Sequence, residues 1–156
     1  MSHQSVAHST HTFERQLSAQ KSRVFRALKD PADRAVWSAP FEGVTMEFDQ
    51  VDVRPGGTDI CRCKMPDGEA FDVRSDYVDV VEDSRIIFLE TISTPDGKMG
   101  ASLATMELLD APQGCVLVTT IQAAAVDGSG LEDGVAEGWA NALDALTRMM
   151  NTPATV

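Results

Sequence analysis

Apolar residues follow a helical period near the beginning of the chain. Val24, Phe25 and Leu28 lie on one helix face, which predicts a helix over about residues 19–29 with Ser18 as its N-cap. Asp30-Pro31 then stops this helix and begins a short second one. Asp30 suits the N-cap and Pro31 the first helical position. The second helix is predicted to end near Trp37.

A second helical period fills the end of the chain. Five apolar residues recur every three or four positions and form one continuous stripe: Val135, Trp139, Leu143, Leu146 and Met150. This stripe predicts a long C-terminal helix that ends at about residue 150. Ser129 and Glu132 are three residues apart and are predicted to form its capping box.

Between these helices, apolar and polar residues alternate as they do in strands. A first strand is predicted over residues 10–17, ahead of the first helix. The remaining strands are predicted over residues 44–53, 58–65, 71–81, 85–93, 99–109 and 115–123. Turn sequences such as Gly56-Gly57 and Asp67-Gly68 separate them without intervening helices, which predicts an antiparallel meander. A long helix held by such a sheet usually encloses a pocket.

The order and spacing of several motifs resemble the SRPBCC superfamily, which is START-like and Bet v 1-like. The branch it most resembles is the domain related to the activator of the Hsp90 ATPase. The motifs are Val24 to Leu28, Asp30-Pro31, Trp37, the turn Arg54-Pro55-Gly56-Gly57, Asp67-Gly68, and Gly138-Trp139 with Leu143 and Leu146. Together they cover roughly residues 12–150. The resemblance implies an α+β helix-grip fold, in which a curved antiparallel sheet of six to seven strands wraps around the C-terminal helix. It also implies a small bacterial protein of a branch whose members mostly have no assigned reaction.

Length and charge narrow the class of protein. The chain has 156 residues, which suits one domain, predicted over residues 10–151 between a frayed tail (1–9) and a short tail (152–156). A net charge of -11 argues against nucleic acids and anionic membrane surfaces as partners. No apolar run suits a membrane span or a signal peptide, and three cysteines fit a reducing compartment, so we expect a cytoplasmic protein.

Two groups of side chains could in principle bind a metal ion. Cys61 and Cys63 share one face of a strand, but zinc needs four ligands and no further pair is evident. His3, His8 and His11 lie near the N-terminus without a carboxylate to orient their rings. No phosphate-binding or dinucleotide-binding glycine motif is present. We therefore expect neither a metal nor a cofactor.

The residues that face inward on the predicted sheet and helices are the candidates for a pocket wall. They are Trp37, Phe48, Cys61, Cys63, Phe71, Tyr77, Phe88, Glu90, Met106, Trp139 and Leu143. Glu90 interrupts an apolar strand and shares a face with Phe88. If Glu90 is buried, its pKa rises and it can act as an acid or base; the alternative is a carboxylate exposed at the rim or paired within the structure. Asp59, on the same face as Cys61, poses the same question.

These observations support three functions. The first is a binding protein for a small apolar or amphipathic molecule, without chemistry. The second is an enzyme of cyclase, dehydratase or hydrolase type that uses Glu90, Asp59 or Tyr77 as acid or base. The third, an interaction domain that acts as an Hsp90 co-chaperone, depends on the family name alone. The sequence leaves a homodimer open.

Overall fold

The computed structural model describes residues 5–126 and 131–152. It contains seven strands and three helices. In chain order they are β1 (Val6–Leu17), α1 (Lys21–Lys29), α2 (Pro31–Trp37), β2 (Thr45–Gln50), β3 (Thr58–Lys64), β4 (Ala70–Val81), β5 (Arg85–Thr94), β6 (Gly97–Ala111), β7 (Gly114–Val126) and α3 (Leu131–Asn151). The predicted helix-grip arrangement, two short helices after the first strand and a long last helix on an antiparallel sheet, is confirmed.

All seven strands form one antiparallel sheet with the order β1-β7-β6-β5-β4-β3-β2. Strands β2 to β7 follow one another as a meander, and β1 pairs with β7 on the far edge. Helix α3 packs against β1 and β7 and also contacts α2. We call the side of the sheet that these helices cover its inner face.

A side-chain cap marks the beginning of α2 but not that of α1. The carboxylate of Asp30 accepts hydrogen bonds from the backbone N–H groups of Ala32 and Asp33, so the predicted cap of α2 is confirmed. The predicted cap of α1 is wrong. Gln20, not Ser18, holds the N-cap position, and its side chain caps nothing. The backbone N–H of Ser18 donates to Asn151 at the end of α3 instead.

A closely packed core fills one end of the inner face. Helix α1 buries Phe25 there, and α3 contributes Leu143 and Leu146. Leu117 and Ile121 of β7 face them from the sheet. These five side chains are at most 2% exposed, which is the close packing expected of a protein interior.

Several element boundaries differ from those predicted. Strand β1 begins at Val6, so His8 lies in the sheet and not in a tail, paired with Ala124. Strand β2 ends at Gln50, not at Val53. The backbone N–H of Asp52 donates to the carboxylate of Asp59 on β3, so this N–H is not available for a hydrogen bond between strands. The predicted capping box begins at residue 129, outside the described residues.

Within the described ranges, none of the helices has the length and apolar character that a membrane crossing demands.

Candidate functional site

A pocket of about 270 Å³ lies at the other end of the inner face, between β2–β6, α2 and the first half of α3. Aromatic side chains dominate its wall. Of the two Trp, one Tyr and six Phe in the chain, all but Phe13 and Phe25 line it: Trp37, Phe41, Phe48, Phe71, Tyr77, Phe88 and Trp139. Phe88 contacts both Tyr77 and Trp139, with ring centroids 5.7 and 6.4 Å apart.

The structure brings nearly all of the predicted wall residues together in this lining. They are Trp37, Phe48, Cys61, Cys63, Phe71, Tyr77, Phe88, Glu90, Met106 and Trp139. Leu143 is the exception, because it is fully buried in the packed core and does not line the pocket. It shares the apolar stripe of Trp139 but lies one turn further along α3, where the closed end begins.

A row of polar side chains crosses the inner face inside this apolar wall. Asp59 of β3 lies opposite Ser75 of β4, Ser75 lies opposite Glu90 of β5, and Glu90 lies opposite Ser102 of β6. Directly opposed residues of antiparallel strands share a face, with Cβ atoms roughly 5 Å apart. We call these four residues the polar row. Ser102 is buried, and its hydroxyl has no hydrogen-bond partner among the described residues.

Asp59 anchors one end of the polar row and is only 1% exposed. One carboxylate oxygen accepts a hydrogen bond from Arg34 Nη1 at 2.7 Å and another from the hydroxyl of Tyr77. The other oxygen accepts from the backbone N–H of Asp52 at 2.7 Å. A buried carboxylate needs such compensation for its lost water. Three donors from three parts of the chain therefore hold the Asp59 side chain in place.

The predicted Gly-Gly turn positions two of these partners. The backbone of Tyr77 exchanges hydrogen bonds with Gly56 and Gly57, 2.9 and 3.0 Å long. A Cβ on Gly57 would lie 2.1 Å from the carbonyl oxygen of Asp52, a clash that excludes any other residue there. The turn therefore sets both the Tyr77 phenol and the Asp52 backbone N–H against Asp59.

Arg34 is the site residue that sequence reasoning missed. It lies on α2 one turn before Trp37, and its guanidinium stacks over the Phe48 ring at 4.5 Å. Its side chain is 12% exposed. The helical spacing to Trp37 places Arg34 toward the pocket and was the available signal. Arg74, the basic residue of β4, is exposed and paired with Asp76.

Glu90, in the middle of the polar row, differs from Asp59 because no hydrogen bonds from described residues compensate its carboxyl. It is half-buried, and no hydrogen bond or ion pair joins it to another residue in the described part of the chain. Burial raises the pKa of its carboxyl to about 7, against the opposing effect of the positive charge of Arg34. Both protonation states are therefore populated near neutral pH, so Glu90 can donate or accept a hydrogen bond or a proton.

The phenol of Tyr77 and the thiols of Cys61 and Cys63 in the wall stay protonated. Burial raises the pKa of the Tyr77 phenol well above its ordinary value, and its proton points to Asp59. Burial likewise raises the pKa of Cys61 to about 11 and of Cys63 to about 12, with the charge of Arg34 opposing the shift at Cys61. Among the described residues, no three His, Cys, Asp or Glu side chains come together as metal ligands. The acid–base chemistry available to this wall is concentrated in Glu90.

Comparison with known proteins places this architecture in a family. The family model described as "Activator of Hsp90 ATPase homolog 1-like protein" matches residues 18–151. The chain belongs to this family. A search of curated proteins finds no match.

Solved structures of bacterial proteins share the fold over nearly the whole chain. An uncharacterized protein from Rhizobium leguminosarum is 29% identical, with a TM-score of 0.82 over 96% of this chain and 98% of its own. A protein from Rhizobium loti is 35% identical, with a TM-score of 0.81 over 92% and 98%. The AHSA1-like protein from Aeromonas hydrophila is 21% identical, with a TM-score of 0.70 over 90% of both chains. The last likeness, at this low identity, shows the fold alone.

Proposed function

We propose that the protein binds a small, largely apolar molecule in the pocket between the inner face, α2 and α3. The observation that supports it is the concentration of aromatic residues around open space, where the other end of the same face is packed shut. Protein interiors leave few voids larger than a water molecule. A volume of about 270 Å³ is close to the lower end of ligand pockets, roughly 300–1,000 Å³, and suits a molecule of one ring or a short chain.

A neutral fluorescent apolar probe such as N-phenyl-1-naphthylamine tests the proposal. The probe should bind the folded protein at one site with increased fluorescence, and a small aromatic or aliphatic molecule should displace it. Val135 of α3 lines the pocket, and Val135→Phe should fill part of the space and weaken probe binding. Glu137→Phe, on the exposed face of the same helix, is the matched control and should not. Binding that both variants leave unchanged would place the probe elsewhere and contradict the proposal.

One observation favours acid–base catalysis as a second candidate function. Glu90 combines a free carboxyl with a pKa of about 7 and a place in the pocket wall, the usual properties of a general acid or base. Asp59 and Tyr77, the other acids considered from the sequence, are already bonded to each other. The test is incubation with a mixture of small metabolites, followed by mass spectrometry. Consumption of a compound by the native protein, but not by Glu90→Gln that still binds the probe, supports an enzyme.

A further inference from the structure

We propose that the preferred ligand is an amphipathic organic cation, in which a single protonated amine pairs with Glu90 and an apolar body contacts the aromatic wall. This inference rests on the proposed function and specifies the chemical class of its ligand. It follows from the distribution of charge in the pocket, the aromatic character of its wall and the free carboxyl of Glu90.

The charges in the pocket wall leave one group without a partner. Among the described residues, Arg34 is the wall's single cationic side chain, and Asp59 neutralises it at 2.7 Å. The guanidinium is further held by its stacking on Phe48. Glu90 is the remaining acidic group. When Glu90 is ionised, the pocket carries one uncompensated negative charge, which a ligand of single positive charge neutralises.

The wall around Glu90 suits a cation better than an anion. Phe88 and Ile92 flank Glu90 on the same face of β5, and Phe88 stands between Tyr77 and Trp139. Aromatic faces attract an ammonium group and most strongly where water is excluded. Ser75 and Ser102, on either side of Glu90, add hydroxyl oxygens that can accept hydrogen bonds from an ammonium.

The charges of the pocket disfavour an anionic ligand. A carboxylate in the pocket would be repelled by ionised Glu90 and would compete with Asp59 for Arg34. The net charge of -11 also slows the approach of anions and favours that of cations. A neutral ligand could accept a hydrogen bond from protonated Glu90, but it would leave the charge uncompensated above pH 7.

Ligand affinity should therefore depend on pH through Glu90. The titratable or charged groups that face it are Arg34 of α2, Asp59, Cys61 and Cys63 of β3, and Tyr77 of β4. The part of α3 that the structure describes contributes no titratable side chain to the wall. Because the thiols and the phenol stay protonated below about pH 10, Glu90 is the group that changes charge near neutrality.

Three probes with one apolar body distinguish the alternatives: 3-phenylpropylamine, 3-phenylpropan-1-ol and 3-phenylpropanoate. Calorimetric titration at pH 8, where Glu90 is ionised, should show the amine binding most tightly and the carboxylate most weakly. We expect the amine to bind about tenfold more tightly than the alcohol, the effect of one hydrogen bond to a charged group. Lowering the pH from 8 to 6 should weaken the binding of the amine but not the binding of the alcohol, which can accept a hydrogen bond from protonated Glu90.

Two matched variants assign the effect to Glu90. Glu90→Gln should reduce the affinity of the amine to that of the alcohol and remove the pH dependence. Glu107→Gln removes the same charge from an exposed position on β6 and should keep the native order of affinities. If Glu90→Gln fails to fold, the pH dependence of the native protein still decides the matter.

The outcomes separate this inference from the proposed function. If the alcohol binds as tightly as the amine, or the carboxylate binds best, the cation inference is overturned and the binding function stands. If none of the three probes binds, the alcohol included, and the fluorescent probe also fails to bind, the proposed function is overturned and this inference with it.

Discussion

The two carboxyl groups of the polar row lie on the same face of the same sheet, two strands apart, and differ in almost every other property. Adjacent strands are about 4.8 Å apart, so roughly 10 Å separates the two backbones. Asp59 is buried and receives three hydrogen bonds. Glu90 is half-buried and receives none from the described residues.

The difference shows that the protein itself compensates a carboxylate removed from water only where hydrogen-bond donors converge on it. The donors to Asp59 come from α2, from the loop after β2 and from β4, and they converge because the Gly56-Gly57 turn and α2 enclose that end of the row. In the part of the chain that the structure describes, no such element brings donors to the middle of β5. There, serines lie opposite Glu90 and apolar side chains flank it. Burial therefore raises the pKa of its carboxyl against the opposing charge of Arg34, and no described residue donates a hydrogen bond to it.

The largest expected effect comes from breaking the Asp59 end. Asp59→Asn removes the charge that balances Arg34, whose side chain is only 12% exposed. Removing one partner of a buried ion pair leaves the other charge uncompensated, so the free energy of unfolding should fall by about 3–5 kcal/mol. Urea denaturation monitored by tryptophan fluorescence measures it. Asp72→Asn, in an exposed pair with Arg62, is the control and should cost less than about 1 kcal/mol. Equal effects of the two substitutions would mean that the Asp59 network is not a buried unit.

Removing the charge of Glu90 should have the opposite effect and raise the free energy of unfolding. Because its folded pKa is about 7 and its ordinary value 4.5, its contribution to stability is fully present below pH 4.5 and is lost as the pH rises through 7. Glu90→Gln should therefore make the protein more stable at pH 8, by up to about 3 kcal/mol, and change little at pH 4.5.

The difference between native protein and variant, measured by denaturation at several pH values, isolates Glu90 from other titrating groups. Glu107→Gln serves again as the exposed control and should show no such trend. A difference in stability that does not change with pH would contradict an unpaired Glu90 carboxyl with a raised pKa.

Removing the hydroxyl of Tyr77 should have a smaller effect on stability than removing the charge of Asp59. Tyr77→Phe keeps the ring against Phe88 and removes one of the three donors to Asp59. The free energy of unfolding should fall by about 1–3 kcal/mol, the cost of a missing hydrogen bond to a buried charge. The double substitution with Asp59→Asn tests the coupling. If the hydroxyl acts through Asp59, the double variant should cost little more than Asp59→Asn alone.

The smallest effect concerns the thiols of β3 that border the pocket. Because burial raises the pKa of Cys61 to about 11 and of Cys63 to about 12, almost no thiolate exists at pH 7.5. A thiol-specific disulfide reagent should react with neither cysteine in the folded protein. All three free cysteines should react after unfolding in guanidinium chloride. Rapid reaction of one thiol in the folded state would show that water enters the pocket further than the structure indicates.

Local patterns predicted much of the fold. The alternation of β5 places Ile86, Phe88, Glu90 and Ile92 on one face, and all four line the pocket. The Asp30-Pro31 helix start and the Gly56-Gly57 turn are equally local, because a cap and a tight turn depend on residues within a few positions of one another. The long last helix was also predictable from a local pattern, because its apolar residues recur at the helical period in one continuous stripe.

The sequence by itself therefore determined the order of elements, their periodicity and the face on which Glu90 lies. Only the tertiary structure decided that Arg34, Asp59 and Tyr77 meet, since 25 and 18 residues separate the donors from the carboxylate and no local rule sets such contacts. It also decided that Trp139 lines open space and Leu143 fills the core. A helical period fixes the face of a side chain but not what packs opposite it, and here α1 closes one end of the inner face while the other end stays open.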